Sequence, residues 1–206
     1  MLDENLLLDS ASCVSNHTNT SLGCPENNSA GVLQLWYVLR ATYSRELKVC
    51  DALNRMGIRT FVPMMWKKKI VDGKEEKILV PAVGSICFVY STKEDIDAYI
   101  RGFGGNSPVH YYWDRIENKP LTVSDKAMED FIAVASTMDE DLVYMTEINE
   151  RLREGEKVTV KEGPFKGVHG TVVRIRKSRH IMVEIPGMLA VASAYVPIKD
   201  LEIINM

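Results

Sequence analysis

No apolar run in this 206-residue chain approaches the roughly 20 residues that a helix needs to cross a bilayer. The leading Leu6-Leu7-Leu8 is flanked by Asp3, Glu4 and Asp9, where a secretory signal carries basic residues. Both absences point to a cytoplasmic protein with no membrane partner. They also make Asn16-His17-Thr18 and Asn19-Thr20-Ser21 chance matches to the glycosylation pattern. The cysteines Cys13, Cys24, Cys50 and Cys87 form no CxxC pair and no zinc spacing, so they read as reduced structural thiols with no metal. His17, His110, His169 and His180 are scattered, and no Ser/His/Asp or Cys/His arrangement accompanies them. Gly102-Phe103-Gly104-Gly105 lacks the strand, turn and helix context of a phosphate-binding loop. The chain therefore reads as a protein that is not an enzyme and uses no cofactor. A strong charge of one sign is lacking too. With a net charge of −3, any contact with nucleic acid must be a local patch.

What is present is an ordinary globular composition, 46% apolar and 26% charged, in a length that suits two small domains. Residues 1–33 read as a disordered leader, because Ser10 to Gly31 is dominated by Ser, Asn, Thr and Gly without apolar periodicity. Structure is expected from Gln34-Leu35-Trp36-Tyr37-Val38-Leu39-Arg40, a strand by composition. A helix should follow, with Thr42 or Ser44 as N-cap, Val49, Cys50, Leu53 and Met56 on its buried stripe and Gly57 as terminator. Arg59 to Pro63 reads as a strand, Lys67 to Val71 and Glu75 to Val80 as a hairpin around Asp72-Gly73, and Ser85 to Tyr90 as a central strand. Thr92 opens a second helix carrying Ile96, Tyr99 and Ile100; Val109 to Asp114 is an aromatic strand; Ser124-Asp125 caps a third helix with Met128, Phe131, Ile132 and Ala135 on one face. Residues 34–137 thus read as an α+β domain, an antiparallel sheet flanked by helices.

Residues 138–153, with Asp139, Glu140 and Asp141 near their start, read as a linker or marginal helix. Beyond them the apolar period changes to two. Strands near 157–161, 171–177, 180–185 and 189–196, punctuated by Gly and Pro, have the spacing of a small all-β barrel over 154–206. The first two are joined by a loop containing Gly163, Pro164, Phe165, Gly167 and Gly170. Its glycines allow tight turns at positive φ, Pro164 presets φ, and Phe165 can plug one end of a barrel.

Positive charge concentrates in this second half at Lys157, Lys161, Lys166, Arg174, Arg176, Lys177 and Arg179, a patch suited to phosphates or to a solvated strand face. Trp66-Lys67-Lys68-Lys69 places an aromatic beside three cations, which suits a single strand of nucleic acid or a lysine-protected sheet edge. Arg40, Arg45 and Lys48 form a smaller basic group around the first helix.

The glycine-rich loop is the signature of a KOW module, an SH3-like barrel. Placed behind a domain opening with Trp36-Tyr37-Val38-Leu39-Arg40, it resembles the NusG family of transcription elongation factors, over residues 34 to 206. Thr42-Tyr43-Ser44-Arg45-Glu46, Lys119-Pro120-Leu121-Thr122-Val123-Ser124-Asp125 and Ala194-Tyr195-Val196-Pro197 are similar to the specialised UpxY-type antiterminators of capsular polysaccharide loci. The resemblance implies a non-catalytic, monomeric regulator whose N-terminal domain, NGN-like in fold, docks on the clamp helices of RNA polymerase. The family's Pro-Gly-Tyr-like docking segment corresponds here to Gly84-Ser85-Ile86, and the apolar lining would come from Phe61, Val83, Ile86 and Phe88. Arg45 and Lys48 would touch non-template DNA. Arg174, Arg176 and Lys177 would meet nucleic acid such as nascent RNA. The barrel would recruit a ribosomal protein or Rho. A general elongation factor of the same fold and an RNA- or ribosome-binding KOW protein remain as alternatives.

Overall fold

The computed structural model describes residues 33–71, 74–137, 140–146, 155–175, 178–186, 188–193 and 197–204. The expected leader, the Asp72-Gly73 turn, parts of the expected linker, Arg176-Lys177 and Ala194 to Val196 lie outside the described residues. All but Leu33 of the described residues belong to one compact unit, Gln34–Met206.

Strand β1 (Leu35–Ala41) leads through a 3-10 turn at Thr42–Ser44 into helix α1 (Glu46–Arg55). Val49, Cys50 and Leu53 are buried, and Gly57 ends the helix region at a φ of +79°, a backbone setting that suits glycine. Neither expected cap holds. The N-cap is Arg45, with no side-chain bond, because the Thr42 hydroxyl donates instead to the Pro108 carbonyl at 3.2 Å. Met56, expected on the buried stripe, is 59% exposed; the helix has already ended at Arg55, so the position leaves the stripe.

Strands β2 (Arg59–Phe61), β3 (Met64–Val71), β4 (Lys74–Pro81) and β5 (Ile86–Ser91) follow. β3 and β4 make a separate antiparallel pair, with Val71 opposite Lys74. β5 lies between β2 and β1, and its central Cys87, Phe88 and Val89 are buried, as an apolar run of this length predicts for an internal strand. Helix α2 (Lys93–Arg101) is capped by Thr92, whose hydroxyl accepts from the Asp95 amide at 3.1 Å.

The expected aromatic strand at Val109 to Asp114 is broken into β6 (Val109–Tyr111) and β7 (Trp113–Asp114). The break falls at Tyr112, whose amide donates to Val38 while its carbonyl accepts from Leu121, so the chain leaves the edge of β1 there. β7 then pairs with β8 (Lys119–Pro120), and β9 (Thr122–Val123) returns to β1. Helix α3 (Asp125–Ala135) is capped by the Ser124 hydroxyl, which accepts from the Ala127 amide at 3.4 Å.

The remaining strands are β10 (Val143–Met145), β11 (Lys157–Val160), β12 (His169–Ile175), β13 (Ser178–Ile185), β14 (Leu189–Ala192) and β15 (Leu201–Ile203). They form a six-stranded antiparallel sheet in the order β10-β14-β13-β12-β11-β15. Two of these strands have no counterpart in the sequence reading. β10 lies inside the segment read as a linker, and β15 follows the last expected strand. Each has three residues, too few for a period of two to register, and each is set by the strand edge it meets.

Alternation along β1 and β5 divides the first sheet into two apolar layers. Tyr37, Leu39, Ala41, Cys87 and Val89 pack with Val49, Cys50 and Leu53 of α1 and Ile96 of α2. Cys50 and Cys87 meet in this layer as a disulfide across α1 and β5, which corrects the reading of reduced thiols for that pair. Trp36, Val38 and Phe88 occupy the opposite layer with Met128, Phe131 and Val134 of α3. The same cluster continues into Ile181, Val183, Leu189 and Val191 of β13 and β14, so α3 is sandwiched between the first sheet and the six-stranded one. No helix among the described residues is long and apolar enough to cross a membrane.

Candidate functional site

The four residues assigned to polymerase docking come from β2, β5 and the turn before β5, and they gather on the α3 side of the first sheet. Phe61 stands opposite Phe88 in the β2–β5 register. Ile86 and Phe88 are two residues apart on β5 and so share a face. Phe61, Val83 and Ile86 are half-buried. Phe88 is fully buried, with its ring centroid 5.6 Å from that of Phe131 and 6.5 Å from that of Phe61. Phe61 meets Phe131 edge-on at 6.2 Å, a favourable aromatic geometry. Phe88 is therefore core that supports the face from below. Ser85, in the segment expected to carry docking, adopts a φ of 66°, uncommon for a residue with a side chain.

At the C-terminal end of β1 the backbone carries more strain of this kind. Tyr43 and Ser44 have φ of 57° and 50°, and Tyr43 is 86% exposed. The Arg45 guanidinium lies over the Tyr43 ring, 5.5 Å from its centroid. Arg40, Arg45 and Lys48 are all exposed. Glu46 beside them is buried, and its Oε2 has no hydrogen-bond partner among the described residues. The exposed tyrosine was missed by the sequence reading, since a positive φ at Tyr43 leaves no compositional trace.

The glycine-rich loop folds as a tight turn. Gly163 and Gly167 both take a φ of 85°, the Gly167 amide donates to Val160 at 2.8 Å, and the Val168 amide donates to Phe165 at 3.0 Å. Gly170 has a different reason for being glycine. It lies in β12, where an added Cβ would fall 2.8 Å from the Met182 carbonyl oxygen and press on the Ile181 side chain. Phe165 is half-buried against the apolar cluster shared with α3.

The loop is tied to α3 by polar contacts as well. The Lys126 ammonium donates to the Gly167 carbonyl at 2.9 Å and to Asp130 at 2.7 Å, and the His169 ring nitrogen lies 3.9 Å from the other Asp130 oxygen. Of the basic residues assigned to this half, Arg174 is exposed and stands directly opposite Arg179 in the β12–β13 register. Two like charges so placed repel each other. Arg176 and Lys177 lie outside the described residues. Trp66 on β3 is 41% exposed, and the neighbouring Lys68 pairs with Glu75 across the hairpin at 3.0 Å.

A second polar group sits away from these faces. Asp97 of α2 accepts from Lys93 at 2.7 Å and from the Tyr111 hydroxyl at 2.8 Å. The Lys93 bond first, and then the Tyr111 bond, holds its carboxyl below the usual range against the opposing effect of burial. Among the described residues no group of three or more His, Cys, Asp or Glu is arranged to hold a metal. The described residues thus offer a half-buried apolar group at Phe61, Val83 and Ile86, a separate exposed basic group at Arg40, Arg45 and Lys48, and a pair of arginines facing each other on the C-terminal sheet.

No curated protein matches this chain. Among solved structures it is similar to one titled "Domain interaction in Thermotoga maritima NusG", at 16% identity and a TM-score of 0.43, covering 84% of this chain and 98% of that one. The model of the family described as "Transcription termination factor nusG" matches residues 34–132. That stretch runs from the start of β1 into α3, so the similarity to this family covers the first sheet and its helices.

Proposed function

We propose that this chain is a NusG-like transcription antiterminator that binds the clamp helices of RNA polymerase and promotes elongation through one operon. The match of residues 34–132 to the NusG family model carries the reading. The gathering of Phe61, Val83 and Ile86 on one half-buried face supports placing the dock there, because an apolar face is what receives helix side chains. The finer assignment is to the UpxY kind, with a capsular polysaccharide operon as target. Its support is the three sequence segments already described.

In this reading residues 154–206 form a KOW barrel that recruits a ribosomal protein or Rho, residues 1–33 are a leader, and 138–153 a linker. The protein is a cytoplasmic monomer with no cofactor. Arg45 and Lys48 meet non-template DNA, with Tyr43 beside them as a stacking surface. A second reading, an RNA-binding KOW protein, is favoured by the opposed Arg174 and Arg179, which a phosphate would relieve.

The test is co-purification with core RNA polymerase together with transcription of a terminator-bearing template. Stable binding with increased read-through supports the proposal; binding with unchanged or reduced read-through contradicts antitermination. Depletion followed by mapping of polymerase occupancy separates an effect on one operon from that of a general elongation factor.

A further inference from the structure

Helix α2 and the edge of the first sheet border a cleft that none of the surfaces described above uses. Its volume is about 250 Å³, and Asp97, Ile100, Arg101, His110, Tyr111 and Trp113 line it. Lys93, Asp97 and Arg101 follow one another at every fourth position of α2, so they form one stripe along the helix. β6 and β7 supply the opposite wall. Ile100 and Tyr111 pack on the layer of α1 and α2, whereas Phe61, Val83 and Ile86 pack on that of α3. The cleft and the apolar group therefore belong to opposite sides of the sheet.

Two of the polar side chains in the cleft are already engaged. The Asp97 carboxylate accepts from Lys93 at 2.7 Å and from the Tyr111 hydroxyl at 2.8 Å, so its charge is balanced and its position fixed. The Tyr111 ring is occupied as well, with the Lys93 ammonium 5.8 Å and the Tyr37 ring 5.9 Å from its centroid. Arg101 and Trp113 differ from these. Arg101, one turn beyond Asp97, is exposed and enters no ion pair among the described residues. Trp113 is 52% exposed, and its indole makes no ring or cation contact among the described residues. A guanidinium with its donors free and an indole with its face open thus border the same cleft.

We propose that this cleft binds a nucleotide unit, with the base stacked on Trp113 and the phosphate held by the Arg101 guanidinium. Any base has a π-face to lay on an aromatic side chain, and a guanidinium meets phosphate oxygens with two parallel N–H donors. A phosphate alone leaves the indole bare, and a neutral ring leaves the guanidinium without a partner. The Lys93-balanced Asp97 does not repel the phosphate, and half-buried Ile100 gives the ring an apolar floor. The volume lies below the roughly 300–1,000 Å³ of sites that enclose a drug-sized ligand, so the cleft takes one ring system with one anionic group. A peptide segment, with a backbone to accommodate as well, is the poorer occupant. The same base-and-phosphate chemistry comes from a free nucleotide or from one position of a single strand. The inference does not rest on the polymerase reading, because the cleft is on the other side of the sheet.

The test is an NMR titration of the full chain at low salt with adenosine monophosphate, adenosine and inorganic phosphate as separate probes. On the unaltered chain the monophosphate should shift the Trp113 indole N–H and the amides of 97–101 and 110–113, and adenosine and phosphate should each bind about tenfold more weakly or worse. Arg101→Gln should weaken the monophosphate about tenfold and leave adenosine unchanged. Trp113→Ala should weaken both about tenfold, and Trp113→Phe should restore most of the loss. A six-residue oligoadenylate separates the sources: binding tenfold or more tighter than the monophosphate, with the same residues shifted, assigns the cleft to a single strand, and equal binding assigns it to a free nucleotide. Absence of a saturable shift in the cleft overturns the proposal, as does indifference of the monophosphate to both substitutions. Phosphate binding as tightly as the monophosphate overturns it in favour of an anion site. Tighter binding of the acidic peptide Asp-Phe-Asp-Phe overturns it in favour of a protein partner.

Discussion

The Lys126 ammonium on α3 donates to the Gly167 carbonyl of the glycine-rich loop at 2.9 Å while also holding Asp130, one turn along the same helix, at 2.7 Å. The carboxylate it holds is buried, 4% exposed, so its lysine partner matters more than a surface ion pair would. Lys126→Met keeps the aliphatic stem and removes both bonds. It should lower stability by about 1–2 kcal/mol, measured by denaturant unfolding, and speed amide exchange at Gly167 and Val168. Unchanged stability and exchange would mean that the loop is held by Phe165 alone.

The cluster around Phe131 joins the layers on both sides of α3, so truncation there should be felt across the molecule. Phe131→Ala removes a fully buried ring in contact with Phe61 and Phe88 and should cost about 3–5 kcal/mol. Ile116, 96% exposed, serves as the control, and its replacement by alanine should change stability by less than about 0.5 kcal/mol. Thermal unfolding of the two variants checks the contrast.

Gly170 and Gly163 make a matched test of two reasons for glycine. Gly170→Ala puts a methyl group against the Met182 carbonyl and the Ile181 side chain in adjacent β13 and should cost about 2–3 kcal/mol. Gly163→Ala meets nothing within 4 Å but sits at a φ of +85°, so it should cost about 1–2 kcal/mol. Equal unfolding midpoints for the two variants would contradict the packing role of Gly170.

Asp97 supplies a pH dependence with a definite sign. Its carboxyl is held below the ordinary value, chiefly by Lys93, so the folded state favours the ionised form. The resulting stability is present above the unfolded value of about 3.9 and is lost as the pH falls through the depressed folded value. The difference in unfolding free energy between the native chain and Asp97→Asn should be largest near neutrality and shrink below about pH 4. A difference that stayed constant to lower pH would show that the Lys93 and Tyr111 bonds do not depend on the charge.

Much of this arrangement is legible in the residues themselves. The apolar run at Leu35 gives β1, and the stripe of Val49, Cys50 and Leu53 gives α1. Ile86 and Phe88, two apart, announce a shared face, and Gly163 and Gly167 announce a tight turn. What escapes is whatever depends on a partner distant in sequence. Thr42 looks like a cap, but Pro108, 66 residues away, takes its hydroxyl. Cys50 and Cys87 are brought together only by packing of a helix on a strand. Phe88 looks available for docking, but Phe131 covers it. β10 is three unremarkable residues until the edge of β14 recruits them. The basic group at the start of α1 is half legible: Arg45 and Lys48 stand in the sequence, whereas the exposure of Tyr43 follows from a backbone conformation that composition does not encode.

The most direct test of the central claim is the affinity of the full chain for core RNA polymerase, compared with that of Ile86→Glu and of Arg174→Ala. The native chain should bind, a charge at the half-buried Ile86 position should weaken binding by about a hundredfold or more, and Arg174→Ala should bind as the native chain does. Undiminished binding by Ile86→Glu together with loss in Arg174→Ala would move the contact to the C-terminal sheet and contradict the account.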